Sequence, residues 1–288
     1  MKIPAYWSKA TATETDRKGK ECSFTCWRSS EISESDARES ALAAAKRALQ
    51  RFLAGGEPPG RYSYGETPLR EEVVQRLNDG EGKPFAAVTR NSYGVLVLNT
   101  ARAMFIDLDF PLATVGESLK HVFVRLFNNS ALSPEERRAQ ETLERLKSFV
   151  SARRGWSVRV YRTCAGLRCL VTHDLFDPAS DETMDHLRSV GADPLYVRLC
   201  KAQECFRARL TPKPWRCRAD RISVKWPRDA DEQKQFEAWL AGYDSRAAGY
   251  STCHFLGASG GDAVHPEVAK LIELHDAFTK CGDKLSLA

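Results

Sequence analysis

Neighbouring strand patterns in this chain are joined by short turns, and this feature constrains the fold most strongly. Residues 84–100 form two apolar runs around a turn at Asn91–Gly94, and residues 156–173 alternate around a second turn at Ala165–Gly166. Short turns join antiparallel strands, because parallel pairing needs a long crossover. The sequence therefore predicts an α+β fold with a mainly antiparallel sheet and with helices packed largely on one face.

Helix patterns flank these strands. The sequence predicts a helix from a cap at Ser33 or Ser35 to Gly55, and a second over residues 69–79 with Thr67 as its cap. Ser133, followed by proline, begins the most regular helix pattern. Further helices are predicted over residues 178–190, 231–243 and 265–280, and further strands over residues 101–111, 205–212 and 252–256.

These patterns suggest a division of the chain. We expect residues 1–82 to form an N-terminal helical region and residues 83–288 to form an α+β domain with C-terminal helices. No proline-rich or Gly/Ser-rich linker divides the two parts. One continuous domain is therefore the alternative to two separate ones. The first 30 residues carry no pattern that assigns their structure or role.

The composition is that of a globular protein. Of 288 residues, 42% are hydrophobic and 28% charged, and no run of about 18 uncharged apolar residues is present, so we expect no membrane partner. The N-terminus is polar and lacks the apolar stretch of a secretory signal. We therefore expect a cytoplasmic protein whose nine cysteines are thiols.

Positive charge is concentrated in two segments. Residues 198–228 contain ten basic and two acidic residues, and residues 153–173 contain five arginines and no acidic residue, although the whole chain carries a net charge of only +5. Guanidinium groups suit bidentate contact with phosphate. The segments indicate either an anion-binding surface or a solvated face.

Two aspartates share one face of a predicted strand. Residues 105–110 read FIDLDF, so that Asp107 and Asp109 project from one side while Ile106 and Leu108 pack on the other. Two carboxylates at this spacing suit a hard cation, Mg²⁺ or Mn²⁺. The alternative is a pair of exposed acids at the end of an edge strand.

The turn at residues 162–168 carries a second motif. Gly166 allows a backbone to approach closely, Thr163 offers a hydroxyl, and Arg162 and Arg168 offer cations. This hairpin is predicted to hold a triphosphate. The alternative is an ordinary turn with solvent-facing arginines.

A third motif combines cations with an aromatic ring. Arg207 and Arg209 share one face of a predicted strand, and Lys213 and Trp215 follow on a loop stiffened by prolines. This set predicts phosphate neutralisation beside a stacking platform. The alternative is a buried tryptophan with arginines paired to the protein's own carboxylates.

In this order, the three motifs resemble the catalytic palm of the archaeo-eukaryotic primase superfamily, which includes the primase-polymerases. The resemblance covers about residues 88–213. It implies a primase-like palm in which Asp107 and Asp109 bind a divalent metal. It also implies a third acid, for which Asp193 is the first candidate and Asp220 the second.

The resemblance assigns the remaining motif residues to the nucleotide. The implied hairpin contacts are Thr163, Gly166 and Arg168, and the implied basic residues are Arg207, Arg209 and Lys213. Arg168 stands where the family usually has histidine. Arginine can hold a phosphate, but it does not titrate near neutral pH.

Cysteine and histidine spacing does not favour zinc. The chain has no Cys-x-x-Cys pair, and its candidate ligands are scattered. They are Cys22, Cys26, Cys200, Cys205, Cys217, Cys253 and His254. The neighbours His275 and Asp276 are interpreted as a local pair instead of a catalytic dyad.

Two functional hypotheses follow. The first is a metal-dependent nucleotide-binding protein that acts as a nucleotidyltransferase on DNA or RNA with a nucleoside triphosphate. The alternative is a non-catalytic nucleic-acid-binding or assembly protein that keeps the basic surface without metal chemistry. A weaker third hypothesis is a small-molecule enzyme that uses the same acids.

Overall fold

The computed structural model describes residues 1–16, 18–56, 68–111 and 133–288. Its helices are α1 (Glu34–Leu53), α2 (Pro134–Ser151), α3 (Asp181–Val190), α4 (Pro194–Gln203), α5 (Ala230–Ala247) and α6 (Pro266–Thr279). Its strands are β1 (Tyr6–Thr15), β2 (Glu21–Ser30), β3 (Glu72–Asn78), β4 (Pro84–Arg90), β5 (Leu96–Thr100), β6 (Phe105–Asp109), β7 (Ser157–Thr163), β8 (Gly166–Val171), β9 (Phe206–Arg209), β10 (Tyr250–Ser251), β11 (Cys253–Gly260) and β12 (Ser286–Leu287).

Two antiparallel four-stranded sheets organise the described chain. Sheet one has the strand order β11-β7-β8-β6, and sheet two has the order β3-β4-β5-β9. One hydrophobic core joins them, since it includes Phe85 and Leu98 of sheet two and Ile106 and Leu167 of sheet one. The predicted α+β class and mainly antiparallel pairing are confirmed.

Helices lie on both faces of sheet one. On β7, the ring of Tyr161 lies 4.7 Å from that of His275 on α6, whereas the next residue, Arg162, pairs with Glu135 on α2. Successive side chains of a strand point to opposite faces, so α2 and α6 lie on opposite sides. The physical reason is that all six residues of the central strand β8 are buried and both faces need a cover.

The prediction of a helix over residues 69–79 is wrong. Strand β3 occupies residues 72–78 and pairs antiparallel with β4, with Glu72 opposite Arg90. Adjacent Val73 and Val74 favour a strand once a partner edge is available, because tertiary pairing outweighs local propensity. The predicted cap, Thr67, lies outside the described residues.

The N-terminal segment is also richer in strands than predicted. Strands β1 and β2 form a hairpin of their own, which packs against α1, so the described part of residues 1–82 holds one helix and three strands. Even-numbered hairpin residues, among them Ala12 and Phe24, face α1. Since β3 pairs with β4, the proposed boundary after residue 82 falls inside a hairpin.

Most of the other predicted helices are present. Helix α2 begins as predicted at Ser133, whose side chain accepts the backbone N–H of Glu136 in a capping box. Helix α4 was not predicted, although Asp193 followed by proline is a typical helix start. In the described part of the chain, no helix has the length and apolar character needed to cross a membrane.

Candidate functional site

A cleft of about 890 Å³ lies between the two four-stranded sheets and the N-terminal hairpin. It is lined by eight of the eleven residues that the sequence selected as first candidates. They are Asp107, Asp109, Thr163, Arg168, Asp193, Arg207, Arg209 and Lys213. Residues separated by about a hundred positions therefore meet in one place, and the three remaining ones, Arg162, Gly166 and Trp215, are not part of its lining.

The acidic pair has the predicted geometry. Asp107 and Asp109 both line the cleft from β6, while Ile106 and Leu108 are buried on the other side of the strand. Burial, followed by the negative charges of Asp107 and of the nearby Asp193, raises the pKa of Asp109. The pair is thus a site of concentrated negative charge.

Asp193 lies beside this pair but has a structural task. Its backbone N–H donates to the carbonyl of Asp107 at 3.1 Å, and its carboxylate accepts the backbone N–H groups of Leu195 and Tyr196 as the N-cap of α4. The second candidate, Asp220, does not line the cleft, and its carbonyl accepts the indole N–H of Trp239. Within the described ranges, no cluster of three or more metal-ligating side chains occurs.

Arg209 is the most unusual cation of the cleft. Its Nε is buried and has no hydrogen-bond partner among the described residues. Burial, followed by the positive charges of Arg168 and Arg216, lowers its pKa to about 10. A buried cationic donor without an acceptor is energetically costly, so it points to an anion that would complete the site.

Arg168 is held in place from behind. Its Nη1 donates to the carbonyl of Arg209 at 2.7 Å and lies 3.3 Å from Nε2 of His275. Nδ1 of His275 in turn lies 2.9 Å from Asp276, so the predicted local pair is present and supports a cleft residue. Burial lowers the pKa of His275 to about 4, and the neutral ring can therefore accept from Arg168 at Nε2.

Lys213 connects the cleft to an exposed aromatic pair. Its Nζ lies 5.5 Å from the centre of the Trp215 ring, and burial, followed by Arg209 and Arg216, lowers its pKa. Trp215 packs edge-to-face on Tyr93 at 5.3 Å, and the two rings are 42% and 52% exposed. Trp215 therefore stands at the rim of the cleft and not inside it.

The prediction that Arg207 binds phosphate needs correction. Both carboxylate oxygens of Glu71 accept from its Nη2, at 2.8 and 2.9 Å, and Oδ1 of Asn99 accepts from its Nη1 at 2.7 Å. The two charged side chains are less than one-tenth exposed. Arg207 is thus held in a buried ion pair, the alternative that the sequence left open.

Arg162 and Gly166 also have structural tasks. Arg162 points to the opposite face of sheet one, where it pairs with Glu135 at 2.8 Å and lies over the Phe110 ring. A Cβ at Gly166 would lie 2.1 Å from the carbonyl oxygen of Leu108. Glycine at this position therefore permits the close approach of β8 to β6, which sets where Asp109 lies.

Several cleft residues were not selected from the sequence. They are Trp7, Trp27, Arg70, Tyr93, Arg216 and Lys225. Arg216 lies in the basic segment, two residues after a proline, and this signal was available. The two tryptophans belong to a hairpin that sequence patterns did not assign, so no local sequence pattern indicated that they line the cleft.

The cysteines do not form a shared site in the described residues. Cys205 contacts Asn99 and Cys217 contacts the carbonyl of Pro214, each within its own part of the fold. Burial raises the pKa of Cys200 and Cys253, which favours inert thiols.

Comparison with protein-family models, curated proteins and solved structures finds no match to this chain.

Proposed function

We propose that the cleft binds a nucleoside triphosphate together with Mg²⁺ or Mn²⁺ and acts in nucleotidyl transfer. One observation carries the proposal: Asp107 and Asp109 line the same cleft as Arg209, whose buried Nε has no partner among the described residues. Adjacent carboxylates attract a cation, and a guanidinium whose buried Nε lacks an acceptor attracts an anion. A metal-bound triphosphate satisfies both.

The donor set fits a hard divalent cation. Asp107 and Asp109 would hold it through carboxylate oxygens on one strand face, which leaves its other positions to water and phosphate oxygens. When bound, such an ion supplies charge neutralisation and Lewis acidity at a phosphoryl oxygen. The volume of the cleft, about 890 Å³, also lies within the range of roughly 300–1,000 Å³ that is common for ligand sites.

The protein's own cations have the remaining task. Arg209, Arg168 and Lys213 would hold the phosphate oxygens and stabilise the negative charge that develops on the leaving pyrophosphate. Arg168 is fixed by its contacts to His275 and to the carbonyl of Arg209, so little reorganisation is needed when the ligand binds. In this scheme the protein's own side chains position the triphosphate and stabilise its negative charge.

Calorimetric titration of adenosine triphosphate, with and without Mn²⁺, tests the proposal. We expect metal-dependent binding by the native chain and its loss in the Asp107→Asn, Asp109→Asn variant. The matched control is Asp262→Asn, Asp283→Asn, which removes the same charge from two exposed positions. Equal binding by the acid variant and the native chain would refute the metal site, and a positive result would justify a primer-extension assay.

A second candidate function is nucleic-acid binding without metal chemistry. It is favoured by the exposed Tyr93–Trp215 pair, which lies beside Lys213 and within 5.4 Å of Arg221. In this case the Asp107→Asn change is tolerated, whereas Lys213→Ala weakens oligonucleotide binding and lowers its salt dependence. Arg207 is unsuitable for this test because its loss would leave Glu71 buried and unpaired.

A further inference from the structure

The cleft has a second end that does not contain the acidic pair. A small side cavity of about 20 Å³ adjoins it and shares four lining residues with it: Arg70, Asn91, Ser92 and Lys225. Asp107 and Asp109 line the cleft but not this cavity. The cavity's lining together with Trp7 and Trp27 is called the tryptophan end.

The N-terminal hairpin presents two tryptophans to this end. Trp7 lies opposite Ser29 and Trp27 opposite Lys9, so both rings belong to the odd-numbered face of the hairpin. The even-numbered face packs on α1, and the tryptophan face is left to line the cleft. The guanidinium of Arg70 lies 3.8 Å from the centre of the Trp27 ring.

Positive charge dominates the side cavity. Its lining includes Arg70, Arg90, Lys225 and Arg228, and the described lining contains no acidic residue. Glu72, which lies outside the lining, pairs with Arg228 and lies 3.8 Å from Arg90, so part of this positive charge is offset by the protein itself. The volume suffices for one water-sized group, such as a single phosphate oxygen.

Two indole donors at this end lack acceptors. Nε1 of Trp7 and Nε1 of Trp226 are buried and have no hydrogen-bond partner in the part of the chain that the structure describes. Trp226 lines the side cavity and Trp7 the adjoining cleft. Buried indole N–H groups usually have a partner, so two unmet donors beside a cavity lined by cationic side chains indicate an acceptor supplied by a ligand.

We propose that the tryptophan end is a second binding site, for a phosphate group, and that it works without metal. The cations and the Trp226 indole N–H would donate to the phosphate oxygens. The phosphate belongs either to a nucleotide or to free inorganic phosphate, which offer the same oxygens. The site does not depend on the metal-binding role proposed for Asp107 and Asp109.

Calorimetric titration in the presence of EDTA tests this site, with inorganic phosphate and adenosine monophosphate as probes. We expect binding by the native chain that persists in the Asp107→Asn, Asp109→Asn variant. Trp226→Phe keeps an aromatic ring but removes the indole donor, and Lys225→Gln removes an exposed charge; each should weaken binding at least about threefold. Lys234→Gln, which removes an exposed charge elsewhere, should leave it unchanged.

The outcomes are distinguishable. Tighter binding of adenosine monophosphate than of phosphate assigns the site to a nucleotide, and equal affinity assigns it to free phosphate. Absence of binding in EDTA, or binding that neither Trp226→Phe nor Lys225→Gln changes, overturns the proposal. Failure of the metal site would be seen separately, in the Mn²⁺-dependent titration of the acid variant.

Discussion

Acid should destabilise this protein through one buried histidine. His275 is fully buried, and burial lowers its pKa from the ordinary 6.5 to about 4. The neutral ring donates from Nδ1 to Asp276 and accepts at Nε2 from Arg168. A proton on Nε2 would face the guanidinium of Arg168 and could not be accommodated without breaking this contact.

The sign and size of the effect follow from the two pKa values. Between about pH 6.5 and pH 4, the unfolded chain binds a proton at this histidine that the folded chain does not bind. The contribution to stability is therefore complete above the unfolded pKa and is lost as the pH falls through this window. Between pH 7.5 and pH 5 the loss amounts to about 2 kcal/mol.

Urea denaturation of the native chain and of His275→Gln, each at both pH values, measures this term. Glutamine does not titrate, and its amide can donate to Asp276 and accept from Arg168. We expect the free energy of unfolding of the native chain, relative to the variant, to fall by about 2 kcal/mol from pH 7.5 to pH 5. A relative change below about 0.5 kcal/mol would refute the reasoning.

Three further predictions concern residues around the cleft. Arg207→Met should destabilise the fold by about 3–5 kcal/mol because Glu71 is left buried and unpaired, and adding Glu71→Gln should recover much of the loss in urea denaturation. Gly166→Ala should lower the free energy of unfolding by about 1–3 kcal/mol, because the added Cβ would push β8 away from β6. In the control variant Gly80→Ala, the added Cβ meets nothing within 4 Å, and the free energy of unfolding should change by less than about 0.5 kcal/mol. Arg209→Met should raise the urea midpoint, because it removes the unpartnered Nε, and calorimetry should show loss of triphosphate binding. A lower urea midpoint would contradict the view that the Nε of Arg209 is unsatisfied in the free protein.

The features that sequence patterns predicted are local ones. The hairpins β4–β5 and β7–β8 follow from alternation around short turns, and the shared face of Asp107 and Asp109 follows from strand geometry alone. The start of α2 at Ser133 likewise depends on residues within one helical turn. Such signals do not depend on the rest of the chain.

The features that were missed depend on distant residues. Arg207 looked available for phosphate because its partner, Glu71, lies 136 positions away. Residues 72–78 fit a helix as well as a strand, and only the edge of β4 decides between them. The tryptophan end joins the N-terminal hairpin to residues near position 226, and no local pattern connects the two.

The two sides of the cleft belong to different sheets. Asp107 and Asp109 lie on β6 of sheet one, Arg209 on β9 of sheet two, and the contact of Arg168 with the Arg209 carbonyl joins them. A ligand held by both sides would brace the sheets against separation. Its binding energy would then add to folding stability, by about 2.7 kcal/mol at a hundredfold excess over the Kd, and a rise in melting temperature would report occupancy without any catalytic assay.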